Sequence, residues 1–148
     1  AVDCLVINDA EARELADEPN LVRAASLIRE MGPEILIIKK GEHGALLFTD
    51  GSVFSAPAYP LEDLQDPTGA GDAFAGGVAG HLHRTGSIDE EALRRAVIYG
   101  SVMASYVVQR YGPDRLLDID PQAIAERSSA FRELADIPQL VPFDTHPA

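Results

Sequence analysis

The sequence predicts an α/β fold, and three features carry this prediction. Two short apolar runs rich in branched side chains, Cys4 to Ile7 and Ile35 to Ile38, are typical of buried parallel strands. An amphipathic helix from Asn20 to Met31 lies between them, which gives the order of a right-handed parallel crossover. Asp50-Gly51 then separates two further apolar runs and indicates a hairpin. We therefore expect a mostly parallel sheet with an antiparallel hairpin.

Three more helices are predicted after the hairpin. Thr68 is a good N-cap for a helix that begins near Gly69 or Ala70. A longer helix follows from about residue 89 to 109, with Ser87 or Asp89 as its cap. Pro121 indicates the start of a last helix, which extends to about residue 134. We expect residues 1–136 to form one ordered unit and residues 137–148 to form a loose tail.

Composition and charge exclude several classes of function. The 148 residues carry a formal net charge of −12, and no Lys/Arg cluster offsets it, which argues against nucleic acid or a membrane surface as partner. Cys4 is the single cysteine, so no disulfide can form within the chain. No apolar run has the length of a membrane span, and no charged-then-apolar leader is present. We expect a cytoplasmic protein.

The stretch from Gln65 to Gly77 is the strongest functional signal in the chain. Residues 69–71 have almost no side chain, so their backbone N–H groups are open at the positive end of the predicted helix, as in an anion site. Asp72 places a negative charge beside this anion site, where a neutral or basic residue would be expected. A role as the general base that accepts a proton from the substrate would explain a carboxylate at this position. The spacing fits neither a Walker loop nor a dinucleotide fingerprint. The alternative is a plain helix start, in which the glycines at 76, 77 and 80 permit close packing.

The motif D-P-T-G-A-G-D-A-F-A-G-G resembles the C-terminal signature of the ribokinase-like carbohydrate kinases, also called the phosphofructokinase B family. This resemblance implies a three-layer α/β/α sandwich, of which the chain would be the C-terminal, nucleotide-binding part, because members are about twice this length. It implies that Asp72 is the general base of phosphoryl transfer. The N–H groups of Gly69, Ala70 and Gly71 would stabilise charge on the transferring phosphoryl group.

The same resemblance implies roles for residues outside the motif. Asn8 would approach the phosphates of ATP, and Glu11 would hold Mg²⁺ through water. It favours Lys39 over Lys40 as a phosphate ligand. Gly41 and Gly44 would shape the nucleotide loop, while Asp66 and Thr68 would belong to a site for a monovalent cation such as K⁺. From spacing alone, Asn8 and Glu11 indicate a helix cap, and the two adjacent lysines indicate a solvated surface.

The function expected from the resemblance is transfer of the γ-phosphoryl group of Mg·ATP to a primary hydroxyl of a sugar. A nucleoside kinase of the same family and a non-catalytic nucleotide-binding remnant are the alternatives; an α/β domain without a ligand leaves the turn before Asp72 unexplained. Relatives carry an Asn that faces the base, whereas residues 97–100 here read Val-Ile-Tyr-Gly. We expect His43, His81 and His83 on the surface, and an exposed sheet edge could support a homodimer.

Overall fold

The structure is a computed structural model, which describes residues 2–62, 66–109 and 119–138. The predicted loop at 111–115 and most of the predicted tail lie outside these ranges, and the proposed division at residue 136 remains a prediction. The described residues contain four strands and five α-helices, which follow in chain order: β1 (Cys4–Asn8), α1 (Asp9–Ala16), α2 (Leu21–Glu30), β2 (Ile35–Lys39), β3 (Ala45–Thr49), β4 (Ser52–Ala56), α3 (Ala70–Thr85), α4 (Glu90–Val108) and α5 (Pro121–Leu134).

The four described strands form one sheet in the order β1-β2-β3-β4. Strand β1 pairs with β2 in parallel, as the crossover predicts, while the β2–β3 and β3–β4 pairings are antiparallel. The α/β class is confirmed, but the expectation of a mostly parallel sheet is wrong for this part of the chain. The sheet is mixed because β2 continues through a short turn directly into the hairpin, without a crossover helix.

Helices cover both faces of the sheet, which gives three layers. On one face, Ala12 of α1 and Ile28 of α2 pack against Leu36, Ile38 and Phe48. On the other face, residues of α3 and α4 pack on alternate positions of the same strands, including Ile37 and Leu47. Because side chains alternate across a strand, the continuous apolar run of β2 supplies both cores.

The helix and turn boundaries follow from local chemistry. Asn20 caps α2 by accepting from the N–H groups of Val22 and Arg23, and Asp89 caps α4 by accepting from Ala92. Pro121 is the first residue of α5, where its missing N–H costs nothing. Thr49 pairs with Ser52 across the predicted two-residue turn, whose second residue is a glycine with φ 86°.

Helices α3 and α4 cross closely at two glycines. A Cβ on Gly77 would lie 2.9 Å from the Cα of Gly100, and one on Gly100 would lie 2.8 Å from the carbonyl oxygen of Phe74. Close packing is therefore confirmed at Gly77. It is wrong for Gly76 and Gly80, since a Cβ on either would meet nothing within 4 Å.

A second tight approach joins the loop after β2 to the segment after β4. Gly44 has φ 83°, and a Cβ there would lie 2.1 Å from the carbonyl oxygen of Ala56. Its own carbonyl accepts a hydrogen bond from the N–H of Lys40 at 2.7 Å. Only glycine fits this position, so the predicted tight turn before β3 is confirmed. Among the residues described, no helix is both long and apolar enough to cross a membrane.

Candidate functional site

The N-terminus of α3 begins as an open turn. Asp66 accepts the backbone N–H of Thr68 at 2.9 Å, which forms a local turn around Pro67. Hydrogen bonding from Thr68, through its hydroxyl first and its N–H second, lowers the pKa of the Asp66 carboxyl. Gly69 is then the N-cap in a left-handed conformation, with φ 83° and no side-chain cap. The prediction that Thr68 caps the helix is therefore wrong, because the N-cap position falls one residue later, at Gly69, which has no side chain to cap with.

The first amides of α3 are mostly unbonded. The N–H of Ala70 donates to the carbonyl of Pro67 at 3.1 Å, so one of the three expected anion-binding amides is already used. The N–H groups of Gly69 and Gly71 have no acceptor within the described residues. A helix normally leaves these first N–H groups to caps, water or ligands. Two of the three predicted donors are thus free to meet an anion.

Lys39 extends from the end of β2 to this open turn. Its Nζ occupies the space beside Gly71, since a Cβ on that glycine would lie 2.8 Å from it. Within the described part of the chain the Lys39 ammonium forms no ion pair. A positive charge therefore lies against the positive end of a helix without a neutralising carboxylate. This arrangement favours binding of a negatively charged group.

Asn8 lies beside Lys39, because the two residues are register partners at the carboxyl ends of β1 and β2. Its side chain accepts the N–H of Glu11 at 2.8 Å, and Glu11 accepts the N–H of Asn8 at 2.8 Å. This is a complete capping box, so the predicted cap is confirmed. The structure therefore brings together Asn8, Lys39 and Gly71 but engages the Asn8 side chain in the cap.

The metal ligands that the resemblance implies are sparse. Among the described residues, no group of three or more His, Cys, Asp or Glu side chains converges as a metal cage. Glu11 is exposed and uses Oε2 for the capping box, which leaves Oε1 to face solvent. A Mg²⁺ that keeps most of its waters and is held mainly by substrate phosphates fits such a lone carboxylate. One carboxylate oxygen of Asp66, Oδ1, already accepts the N–H of Thr68.

A groove of about 730 Å³ runs along α3 from this turn. Asp66, Thr68, Gly69 and Asp72 line one end of the groove. Asp72 makes no hydrogen bond or ion pair to any other described residue, so its carboxylate is free to accept a proton. Gly76 and Gly80 form the floor because they recur one helical turn apart on the same face. The groove therefore adjoins the turn at Gly69 and Asp72, whereas Lys39 and Gly71 do not line it.

Sequence reasoning missed the far end of the groove. His81, Arg84, Tyr99 and Met103 line it, together with Ile124 of α5. His81 is 8% exposed, so its expected surface position is wrong, whereas His83 is exposed as predicted. The burial of His81 could have been predicted from the sequence, because position 81 falls three residues after the apolar Val78 and therefore on the same face of the helix.

The turn over Gly41–His43, just after Lys39, is a short 3-10 helix. His43 is exposed there, as expected. The backbone of Gly44 is fixed by its contact with the segment after β4, which orients the end of β2. Neither Gly41 nor Gly44 lines the groove. Their assignment to a nucleotide loop stays a prediction.

Fold and site define this chain as an α/β protein with an uncapped helix N-terminus beside an elongated groove. The family model described as "pfkB family carbohydrate kinase" matches residues 1–119, and the chain belongs to this family. It is 33% identical over 113 residues to a cytidine kinase of Thermococcus kodakarensis, covering 75% of this chain and 38% of that protein. It is 35% identical over 109 residues to an aminoimidazole riboside kinase of Salmonella typhimurium, covering 74% and 34%.

A solved structure shows the same fold. Aminoimidazole riboside kinase from Salmonella enterica, complexed with aminoimidazole riboside and an ATP analog, matches with a TM-score of 0.75 and 30% identity. The match covers 86% of this chain and 42% of that one. The chain thus spans well under half the length of these relatives. The ribokinase-like fold expected from the motif is confirmed.

Proposed function

We propose that this chain supplies the nucleotide-binding and catalytic part of an ATP-dependent kinase, which moves the γ-phosphoryl group to a primary hydroxyl of a sugar. The observation that carries the proposal is the Lys39 ammonium against Gly71, at an uncapped helix N-terminus that also bears Asp72. Phosphoryl transfer needs mainly positioning and stabilisation of charge, and this corner of the molecule offers both. The sugar and nucleoside kinases among its relatives support the same reaction class.

Each group at the turn has a defined role in the proposed reaction. The acceptor hydroxyl oxygen forms a bond to the γ-phosphorus while its proton passes to the Asp72 carboxylate. The bond from that phosphorus to the bridging oxygen breaks, and ADP leaves. The Gly69 and Gly71 amides and Lys39 stabilise the phosphoryl oxygens, and Mg²⁺ held through Glu11 would neutralise phosphate charge when bound. Asn8 orients the phosphates from beside Lys39.

A nucleoside as acceptor is the second candidate. It is favoured by two relatives whose names specify a cytidine and an aminoimidazole riboside, both of which are base-bearing ribosides. The chemistry at Asp72 is the same for either acceptor, because the base meets only the reacting hydroxyl. K⁺ at Asp66 and Thr68 and a homodimer through the free edge of β1 remain predictions.

Calorimetric titration with a non-hydrolysable ATP analogue, with and without Mg²⁺, tests the donor site. We expect Mg²⁺-dependent binding that Lys39→Ala weakens by about 10- to 100-fold, since a hydrogen bond to a charged group contributes roughly 1.5–3 kcal/mol. Lys40→Ala is the matched control, because it removes the same charge one residue away. Equal losses in both variants, or no binding by the folded chain, would contradict the proposal and favour the remnant alternative.

A further inference from the structure

Arg127 of α5 lies between two aromatic rings. Its guanidinium carbon is 3.6 Å from the ring centroid of Tyr106 on α4 and 4.8 Å from that of Tyr59, in the segment after β4. A cation over an aromatic face is attracted by the quadrupole of the ring, and here one cation meets two rings. We call these three side chains the Arg127 stack. It joins three parts of the chain that are distant in sequence.

Hydrogen bonds hold the Arg127 stack in place. Nη1 of Arg127 donates to Oγ of Ser105 at 3.0 Å, and Ser105 is itself buried. The hydroxyl of Tyr106 donates to the carbonyl oxygen of Ala123 at 2.8 Å, which fixes α5 on α4 beside the cation. Arg127 forms no ion pair with a carboxylate within residues 2–62, 66–109 and 119–138. The rings and Ser105 therefore set the position of the guanidinium.

Packing alone does not require a cation at this position. The cluster beside the stack is apolar and aromatic and includes the buried Val102 and Phe131. Phe131 also contacts Tyr59, with ring centroids 5.3 Å apart. An apolar residue in place of Arg127 would extend this cluster, but it could neither bond to Ser105 nor be attracted to both rings. A lysine has the charge but lacks the planar group that stacks on ring faces. Arginine therefore fixes the two tyrosines relative to each other.

One side of the Arg127 stack leads to the loop after Lys39. Tyr59 lies three residues after Ala56, whose carbonyl oxygen would be 2.1 Å from a Cβ on Gly44. The carbonyl of Gly44 in turn accepts the N–H of Lys40 at 2.7 Å. The segment that contains Tyr59 is thus in close contact with the loop that follows the lysine. Restraining Tyr59 on α4 therefore also restrains this loop.

The other side of the Arg127 stack leads to the open N-terminus of α3. Val107 follows Tyr106 on α4 and is buried. A Cβ on Gly69 would lie 3.8 Å from Cγ1 of Val107, which is an ordinary van der Waals separation. Because Gly69 has φ 83° and no side-chain cap, this helix end lacks the restraint that a cap normally provides. The last turn of α4 therefore supports the turn that is proposed to bind phosphate.

We propose that Arg127 is a positioning residue for the phosphate corner, which we define as Lys39, Gly69 and Gly71. By holding Tyr59 on the last turn of α4, it keeps the loop after Lys39 and the N-terminus of α3 in a fixed relation. A shift of about 1 Å among groups that position a substrate can cost about 100-fold in rate. The inference rests on the proposed function, because the corner affects catalysis only if phosphate binds there.

Arg127→Met tests the proposal in the whole chain. Methionine keeps much of the apolar stem but removes the charge and the planar group. The matched control is Ile28→Val, which removes one carbon from the buried core on the opposite face of the sheet and does not touch the stack. Both variants should unfold at a lower temperature than the wild type. Only Arg127→Met should weaken the binding of inorganic tripolyphosphate with Mg²⁺, by about 3- to 10-fold in calorimetric titration.

Hydrogen exchange provides a readout that needs no ligand. The N–H of Ala73 donates to the carbonyl of Gly69 at 2.9 Å, so its protection reports on the first turn of α3. In Arg127→Met this amide should exchange about 3- to 10-fold faster, because the turn opens more often. The amide of Ala92, at the start of α4 that a side chain caps, should keep its wild-type rate. The Ile28→Val control should leave both amides unchanged.

A double-mutant cycle tests whether Arg127 acts through the stack. Tyr59→Leu removes one ring, whereas Tyr59→Phe keeps the ring and is the matched control. Because the proposed effect of Arg127 passes through Tyr59, Arg127→Met should weaken tripolyphosphate binding much less in the Tyr59→Leu background than in the wild type. In the Tyr59→Phe background its effect should be unchanged. Losses that simply add in the Tyr59→Leu background would contradict the proposal.

The outcomes separate this inference from the proposed function. If the wild type binds tripolyphosphate and Arg127→Met binds it equally well, with unchanged exchange at Ala73, the role of Arg127 is overturned and the proposed function stands. Equal losses of affinity in Arg127→Met and Ile28→Val also overturn it, because they would reflect general destabilisation. If the folded wild type does not bind tripolyphosphate, the proposed function fails, and exchange at Ala73 alone decides whether Arg127 positions the turn.

Discussion

The N-termini of α1 and α3 both lie close to Lys39, but side chains cap the first and no side chain caps the second. Each helix has a carboxylate at its third position. At α1, Glu11 turns back to accept the N–H of Asn8, and the cap is closed. At α3, Asp72 points into the groove, and Gly69 supplies no side-chain cap. A closed end stabilises the fold, whereas an open end keeps its amides for a ligand.

This difference shows what a ligand would have to change at each end. An anion can enter the α3 turn without breaking a hydrogen bond of Gly69 or Gly71. At α1, an Asn8 side chain that turned to a phosphate would give up its bond to Glu11, at a cost of about 1 kcal/mol. An anion at α3 would therefore need no change in hydrogen bonding, whereas Asn8 could contact it only by leaving the cap.

The largest expected effect is on the rate of phosphoryl transfer, when the carboxylate at the third position of α3 is replaced. Asp72→Asn should lower the rate of phosphoryl transfer by about 10²–10⁴, because the amide cannot take the proton, while affinity for the ATP analogue persists. Glu11→Gln is the matched change at the closed end. It should lower the rate much less, since in the proposed reaction its carboxylate assists only indirectly, by holding Mg²⁺ through water. Turnover of ATP in the presence of the acceptor measures both, and an unchanged rate for Asp72→Asn would refute its role.

A smaller effect is expected from filling the open end. Gly71→Ala adds a Cβ that would lie 2.8 Å from Nζ of Lys39, which is too close for both atoms to keep their positions. The lysine tip is flexible and can move aside, so thermal stability should change little. Affinity for tripolyphosphate should fall by about 3- to 10-fold, because the ammonium is displaced from the helix end. Loss of stability without loss of affinity would mean that this contact is only structural.

The smallest effect is expected from opening the closed end. Asn8→Ala should lower the free energy of unfolding by about 1 kcal/mol, measured by denaturant titration. Asn8→Ser preserves a cap and should be nearly as stable as the wild type. If Asn8 only caps α1, tripolyphosphate binds both variants as it binds the wild type. If Asn8 also meets phosphate, both variants bind it more weakly although only one is destabilised.

The buried imidazole adds a pH test that does not depend on any ligand. Because the pKa of His81 is lowered in the fold, the unfolded chain binds more protons below about pH 6.5, and stability should fall as the pH drops through that value. Denaturant titrations of His81→Phe between pH 5 and 7 should show a weaker fall than those of the wild type. Equal slopes would mean that His81 titrates normally.

Most of the secondary structure was predictable because its signals are local. Asn20, Asp89 and Pro121 mark helix starts by side-chain chemistry, and Asp50-Gly51 marks the hairpin by its turn preference. Thr68 failed as a cap because α3 begins one residue later, after Gly69 in a left-handed conformation. Cap propensity alone cannot decide between two neighbouring positions at which a helix can begin.

The groove was less predictable because it depends on which helix faces which neighbour. Gly76, Gly77 and Gly80 look alike in the sequence, yet only the second meets α4 while the others face open space. His81 reads as a polar surface residue by its chemistry, although its spacing from Val78 puts it on the buried face of α3. The turn before Asp72 was predictable as a motif, whereas the approach of Lys39 to Gly71 depends on the three-dimensional arrangement of β2 and α3.

The approach of Gly44 to Ala56 has a mechanical consequence. The loop that follows Lys39 and the segment that leads towards Asp66 are held together at a point where no side chain can be inserted. These two stretches of backbone cannot slide past each other without separating completely. Any movement that carries the lysine towards a departing phosphate would pull the other stretch with it. In hydrogen exchange, the amides of Lys40 and the start of the proline-rich segment should therefore open as one unit.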